Sequence, residues 1–165
     1  MTNIQKGDKK MKINIGINEE SRKAIADELS KVLADSYMLY LKTHNYHWNV
    51  TGELFHSLHE QFEEQYTELA EAIDEIAERI RSLGYRAPGT FEEFNELTSI
   101  KEDTEEPEAL EMVRRLALGN EQVLRTARQA LKPANEAEDE ATIDLLTRRL
   151  DVHSKTAWML RSHLE

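Results

Sequence analysis

Six glycines and three prolines are the only strong chain breakers in 165 residues, so the chain favours a few long helices over many short elements. The first helix is expected from about Asn18 to Val50. Ile25, Leu29, Val32, Ser36, Leu39 and Thr43 form its stripe, and Gly52 stops it. The second is expected from about Glu53 to Leu83, with Gly84 as its C′ stop. A third begins near Thr104–Pro107, where proline suits a first turn. It should end at Lys132–Pro133, because proline cannot continue a helix. The fourth is expected from about Asn135 to Leu164, with Asn135 and Glu138 as a capping box. Its stripe of Ile143, Leu146, Leu150, His153, Ala157, Leu160 and Leu164 has the 3-4-3-4 spacing of a bundle seam. Between the second and third helices lies a long connection, Tyr85 to Glu106. Within it Thr90 and Glu93 make a capping box that opens a short helix from Phe91 to Leu97. The fold class is therefore all-α: a four-helix bundle with a short extra helix in a long crossover between helices two and three.

Hydrophobic residues make up 39% of the chain and charged residues 32%, a mix that suits a helical protein with much polar surface. One domain accounts for the length, and it is large enough to bury a real core. Cysteine is absent, which excludes disulfides and thiolate ligands for zinc, copper or iron–sulfur clusters. No apolar run approaches the ~18 residues of a membrane span, and the N-terminus shows no secretory h-region. A cytoplasmic location is the default expectation. The net charge of −11 is uneven. Lys6, Lys9, Lys10 and Lys12 against Asp8 give residues 1–17 a charge of +3, which by subtraction leaves about −14 on the rest. Residues 1–17 are expected to form a flexible basic tail and residues 18–165 the bundle. A basic tail attracts nucleic-acid phosphate. An acidic body repels it and attracts cations.

Chemistry concentrates between His44 and Glu78. Of six histidines, four (His44, His47, His56 and His59) fall within sixteen positions. His59 and Glu63 are four apart and share one helix face, and Asp74 and Glu78 repeat that spacing. At 100° per residue these four fall at roughly 0°, 40°, 60° and 100° around the second helix. Glu63 and Asp74 are nonetheless about 16 Å apart along the axis, so one ion cannot touch both. A second copy of the helix lying antiparallel resolves this. His59 with Glu78 and Glu63 with Asp74 are both centred between residues 68 and 69. A two-fold axis there puts His59 opposite Glu78 of the partner subunit and Glu63 opposite the partner's Asp74, making two equivalent sites. Imidazole and carboxylate together suit iron or a similar divalent ion. Acids on a helix usually form a solvated face, and this chain has 32 of them; the clustered histidines are what favour a metal site.

The run His47-Trp48-Asn49-Val50, with Gly52, Phe55, Leu58-His59 and Phe62-Glu63, followed by Asp74 and Ala77-Glu78-Arg79, closely resembles the Dps family, the DNA-protecting mini-ferritins. The resemblance extends from about residue 20 to the end, short crossover helix included, and it agrees with the ferritin-like bundle. It implies a hollow homo-dodecamer that oxidises Fe(II), preferably with hydrogen peroxide, and stores ferric mineral. It also implies a di-iron centre shared between two subunits: His47, His59 and Glu63 from one, Asp74 and Glu78 of the partner subunit. Glu63 departs from the family pattern, which commonly has Asp there. Its extra methylene still allows binding of a hard cation.

Several nearby residues have two readings. Trp48 adjoins His47 and is either an interceptor of stray oxidising equivalents or a packing residue at a helix end. Glu53 and His56 form one Glu-x-x-His pair, but a within-chain di-iron bundle needs two such pairs, so both are expected on the surface. His153, in an apolar seam, is expected to be a satisfied core histidine, with an added ligand role left open. Glu136, Glu138, Asp139, Glu140 and Asp144 either complement a helix dipole or, as the resemblance implies, line an iron-entry pore. The leading function is a ferroxidase and iron store that protects DNA from oxidative damage. The competing ones are a nucleoid-associated DNA-coating protein with structural metal sites and a purely structural helical scaffold. Weak, non-specific DNA binding through the N-terminal lysines is compatible with the first.

Overall fold

Five helices carry the architecture of the computed structural model, which describes residues 11–165. They are α1 (Glu19–Asn49), α2 (Phe55–Ser82), the short α3 (Phe91–Leu97), α4 (Ala109–Glu136) and α5 (Glu140–Arg161). Lys6, Lys9 and Lys10 lie outside the described residues. Lys12 is exposed, and residues 11–17 form no helix or strand.

One core cluster joins the start of α1 (Ile25, Leu29), the end of α2 (Ile76, Ile80), the end of α4 (Ala127, Ala130) and the start of α5 (Leu145, Leu146). A second joins Leu39 and Tyr46, Leu58 and Phe62, Val113 and Leu116, and Leu160 at the opposite end. Each fully buried large apolar side chain contributes roughly 1.5–3 kcal/mol. All six expected stripe residues of α1 are buried. This distribution makes α1 antiparallel to both α2 and α4, and α4 antiparallel to α5. Since α2 and α4 end together, the chain between them must run the length of the bundle. That is the physical reason for the crossover, and its capping box at Thr90 and Glu93 forms as expected.

Two buried or partly buried carboxylates pin the crossover. Asp35, fully buried, accepts from Thr98 Oγ1 (2.8 Å), the Ser99 amide (2.6 Å) and Thr126 Oγ1 (2.6 Å). Asp103 takes Tyr46, Lys42 (3.1 Å) and Arg115 (3.2 Å). Across the remaining side, α2 and α5 meet mainly through charge: Glu68 with Arg149, Glu75 with Arg148, and Arg79 with Asp139.

The corner between α4 and α5 corrects the sequence reading. Pro133 lies inside α4. It sits in the last turn, where the missing amide costs one hydrogen bond and the Pro133 carbonyl still accepts from Ala137. Asn135 is helical and donates back to the Leu131 carbonyl, so no capping box forms with Glu138. Instead Glu138 is the C′ residue of a Schellman motif. Asp139 N donates to Ala134 O and Glu138 N to Asn135 O. Asp139 caps α5 by accepting from Thr142 N. The third long helix also starts later than Thr104–Pro107, since Pro107 precedes the cap at Glu108. The fourth stops at Arg161, short of Leu164.

His153 is buried and satisfied. Its Nδ1–H donates to Asn120 Oδ1 (2.8 Å), and Nε2 accepts from Arg149 (3.1 Å). Burial, then the Arg149 charge, push its pKa down from 6.5 to about 3. The added-ligand reading does not fit a ring with both nitrogens occupied.

Two outcomes follow from these contacts. Glu138 sits at φ 51 with no steric reason for a side chain, so Glu138→Gly should stabilise the fold by roughly 0.5–1 kcal/mol, read as a higher urea midpoint at unchanged slope. For His153, the unfolded chain takes up a proton near pH 6.5 that the folded chain refuses until about 3. Its stabilising contribution is complete above 6.5 and declines as pH falls toward 3, by up to about 1.4 kcal/mol per pH unit. His153→Gln should therefore lose less stability than wild type between about pH 7.5 and 5.5 in the same assay; equal losses would mean His153 is not held neutral.

Candidate metal centre

The turn between α1 and α2 assembles the site. Val50 closes α1 by donating to Tyr46 O, and Gly52, at φ 97, reverses the chain in a conformation that side chains rarely adopt. His47, in the last turn of α1, thereby meets His59, in the first turns of α2. Their rings stack at 3.8 Å between centroids, 20° from parallel. His47 Nδ1 lies 2.8 Å from the His59 carbonyl, and His59 Nδ1 lies 2.9 Å from the His47 carbonyl. A carbonyl only accepts, so both Nδ1 atoms carry the proton and both Nε2 atoms keep a free lone pair. Each ring is thus held in the tautomer that leaves Nε2 free for a metal ion.

Glu63 completes the cluster from the next turn of α2. One ligand atom from each of His47, His59 and Glu63 can be chosen so that all lie within 4.8 Å of one another. His47 is buried, His59 half-buried and Glu63 exposed, so the site opens to one side. The donor set of two imidazoles and one carboxylate fits a divalent ion of borderline hardness and leaves coordination positions free.

Asp74 and Glu78 do not join this cluster within the chain. Both are exposed on α2, on the same helical face as His59 and Glu63 and about three to five turns further along. None of Glu63, Asp74 and Glu78 has an ion-pair partner among the described residues. Thr67 and Ala70, small and exposed, lie on that face between the two pairs.

Trp48 is 60% exposed. Its ring rests on His44 at 4.0 Å rather than on its sequence neighbour His47. His44 lies between Trp48 and Tyr66, stacked on the latter at 4.1 Å and 19°. Burial, then the nearby His47, hold His44 below the ordinary imidazole value. Tyr66 meets the His47 ring edge-on at 5.2 Å. Burial, then the Glu63 carboxylate, push its phenol above the ordinary value. Sequence reasoning passed over Tyr66, although it is seven residues beyond His59, two turns along the same helix face.

Glu53 and His56 are exposed, and His56 faces only Glu60 at 3.5 Å. In the acidic corner, burial pushes the Asp139 carboxyl up, but bonds from Arg79 and Thr142 more than offset it and hold it low. Asp144 pairs with Arg148 at 3.0 Å. Glu136, Glu138 and Glu140 are exposed. No helix among the described residues is long and apolar enough to cross a membrane.

The same architecture recurs in known proteins. The family model of the ferritin-like domain matches residues 26–165. The chain is 41% identical over 142 residues to DNA protection during starvation protein 2 of Bacillus anthracis, covering 86% of this chain and 97% of that one. It is 43% identical over 156 residues to an uncharacterized low temperature-induced protein of Nostoc sp., covering 93% and 87%. Among solved structures, a Dps protein from Vibrio cholerae O1, described as one of the ferritin-like diiron-carboxylate proteins, superposes with a TM-score of 0.89 at 34% identity, covering 94% of this chain and 99% of that one. A Dps protein from Bacillus brevis gives 0.85 at 38% identity, covering 94% and 100%. With the family model spanning residues 26–165 and a Dps relative at 41% identity, the chain belongs to the ferritin-like family and, within it, to the Dps proteins.

Proposed function

We propose that this protein is a ferroxidase and iron store that oxidises Fe(II), preferably with hydrogen peroxide, and keeps the ferric product inside a hollow homo-dodecamer. The observation that carries the reading is the His47, His59 and Glu63 cluster, with both imidazoles fixed in the ligand tautomer. Iron is the substrate and the cargo. His47 and His59 orient it through Nε2, and Glu63 supplies a hard oxygen that tolerates the ferric product.

Asp74 and Glu78 are assigned to the neighbouring subunit's centre. A two-fold axis across the middle of α2 gives each centre His47, His59 and Glu63 from one chain, with Asp74 and Glu78 of the partner subunit. Support comes from the exposed face itself: its acids are unpaired, and the small Thr67 and Ala70 allow a second helix to approach closely. With two Fe(II) ions held side by side, peroxide takes one electron from each. Its O–O bond breaks, two protons are taken up, and two waters leave without a free hydroxyl radical. Trp48, on the far side of His44, is assigned the interception of oxidising equivalents that stray.

The Bacillus anthracis relative is named for DNA protection during starvation. Joint removal of Fe(II) and peroxide serves that end here, in the cytoplasm where iron, peroxide and DNA meet. The acidic body limits direct DNA contact to the lysine-bearing N-terminal residues.

The shared centre is tested by complementation. His59→Ala and Asp74→Ala proteins should each oxidise Fe(II) poorly. Randomly reassembled one to one, they should regain about a quarter of wild-type activity, since half the pairs are mixed and each mixed pair has one intact centre. Full activity in either variant alone would sink the ligand assignment; mixed shells with no recovery would sink the two-fold sharing. DNA binding is expected to be weak and non-specific. Gel retardation should appear only at low salt and vanish on deleting residues 1–12, with iron oxidation unchanged. Tight binding by the deleted protein at physiological salt would place the contact elsewhere.

A further inference from the structure

The aromatic rings behind the candidate centre form a continuous group. His44 is its hub, with Trp48 at 4.0 Å, Tyr66 at 4.1 Å and Tyr40 at 5.5 Å. Tyr40 also meets Tyr66 at 6.2 Å and Tyr37 at 5.9 Å. Three oxidisable phenols and an indole therefore lie in ring-to-ring contact along the seam of α1 and α2. Tyr66 alone among them touches the ring of His47. No hydrogen bond fixes the Tyr66 hydroxyl among the described residues, and the side chain is half-buried.

We propose that Tyr66 is a one-electron donor to the centre and that Tyr40, Tyr37 and Trp48 share the hole it leaves. The proposal rests on the ferroxidase reading and addresses what that reading leaves open: a centre that holds a single Fe(II). Peroxide needs two electrons, and one Fe(II) gives one. The Tyr66 phenol supplies the second. The O–O bond breaks; the phenol's proton and one proton from solvent complete two waters; Fe(III) and a neutral phenoxyl radical remain. A later Fe(II) reduces the radical, which takes a proton from solvent and becomes phenol again. Electrons and protons balance, and no hydroxyl radical leaves a half-filled site.

The relay can be read without iron. Trp158 is exposed and has no ring contact with this group, so a Trp158→Phe background leaves Trp48 as the one indole. Pulse radiolysis of that iron-free protein with azide radical should show the tryptophanyl band decaying as a phenoxyl band grows. A further Tyr40→Phe/Tyr66→Phe double substitution keeps the packing but should lose most of the phenoxyl band. Tyr85→Phe, remote from the group, should not. No phenoxyl growth in the background protein, or an undiminished band in the double variant, overturns the relay. With one Fe(II) per centre and excess peroxide, freeze-quenched wild type should give a tyrosyl electron paramagnetic resonance signal that Tyr66→Phe lacks. Iron oxidation without that signal in wild type overturns Tyr66 as donor, whereas no iron oxidation at all overturns the ferroxidase reading instead.

Discussion

Two hydrogen bonds between His47 and His59 organise the candidate centre. They cross the α1–α2 turn in both directions, each ring's Nδ1–H held by the other residue's carbonyl. His47 lies in the last turn of α1, where backbone carbonyls have no helical partner. The His59 ring supplies one. The same bonds thus close a helix end, join two helices and set the tautomer of two prospective ligands. A histidine that capped the helix through Nε2–H would instead leave Nδ1, the nitrogen nearer the backbone, as its free ligand atom. Ligand geometry and helix termination are therefore one constraint, and Gly52 at positive φ makes the approach sterically possible.

Away from this turn, the bundle relies on buried acids to hold what apolar packing does not. The crossover has only Phe94 and Ile100 buried among its large apolar residues, too little to fix so long a connection. Asp35 and Asp103 take over, together engaging three hydroxyls, one amide, a lysine and an arginine. Charge-assisted hydrogen bonds of this kind exceed neutral ones in strength. The crossover in turn lets α2 and α4 run in the same direction. Among the described residues that leaves one long face of α2 bare, and Glu63, Asp74 and Glu78 sit on it without ion-pair partners.

Periodicity made the helices and the stripe of α1 legible, because burial follows spacing directly. Helix ends were less legible because they turn on backbone geometry. Pro133 costs little in a last turn, and Glu138 accepts a left-handed conformation that composition alone assigns to glycine or asparagine. At the site, the spacing of His59, Glu63, Asp74 and Glu78 revealed a shared face, and the structure brings His47 to its head. The reciprocal histidine bonds were hidden, since they depend on two helices meeting at a particular depth. Tyr66 was hidden for a different reason. An aromatic residue at helical spacing ordinarily signals core, and only its contact with His47 distinguishes it.

The charge distribution links the iron and DNA readings. A body near −14 attracts divalent cations and repels a duplex at the same surface. A protein that coated DNA through that body would need the opposite sign. Protection through chemistry has no such requirement, because removing Fe(II) and peroxide from the surrounding solution works at a distance. In the proposed function, lysines near one terminus would tether the assembly loosely, and multivalency would make a weak contact sufficient. Under the proposed function, the acidic surface and a modest DNA affinity belong to one design, in which the iron site does the protecting and the N-terminal lysines only keep it near.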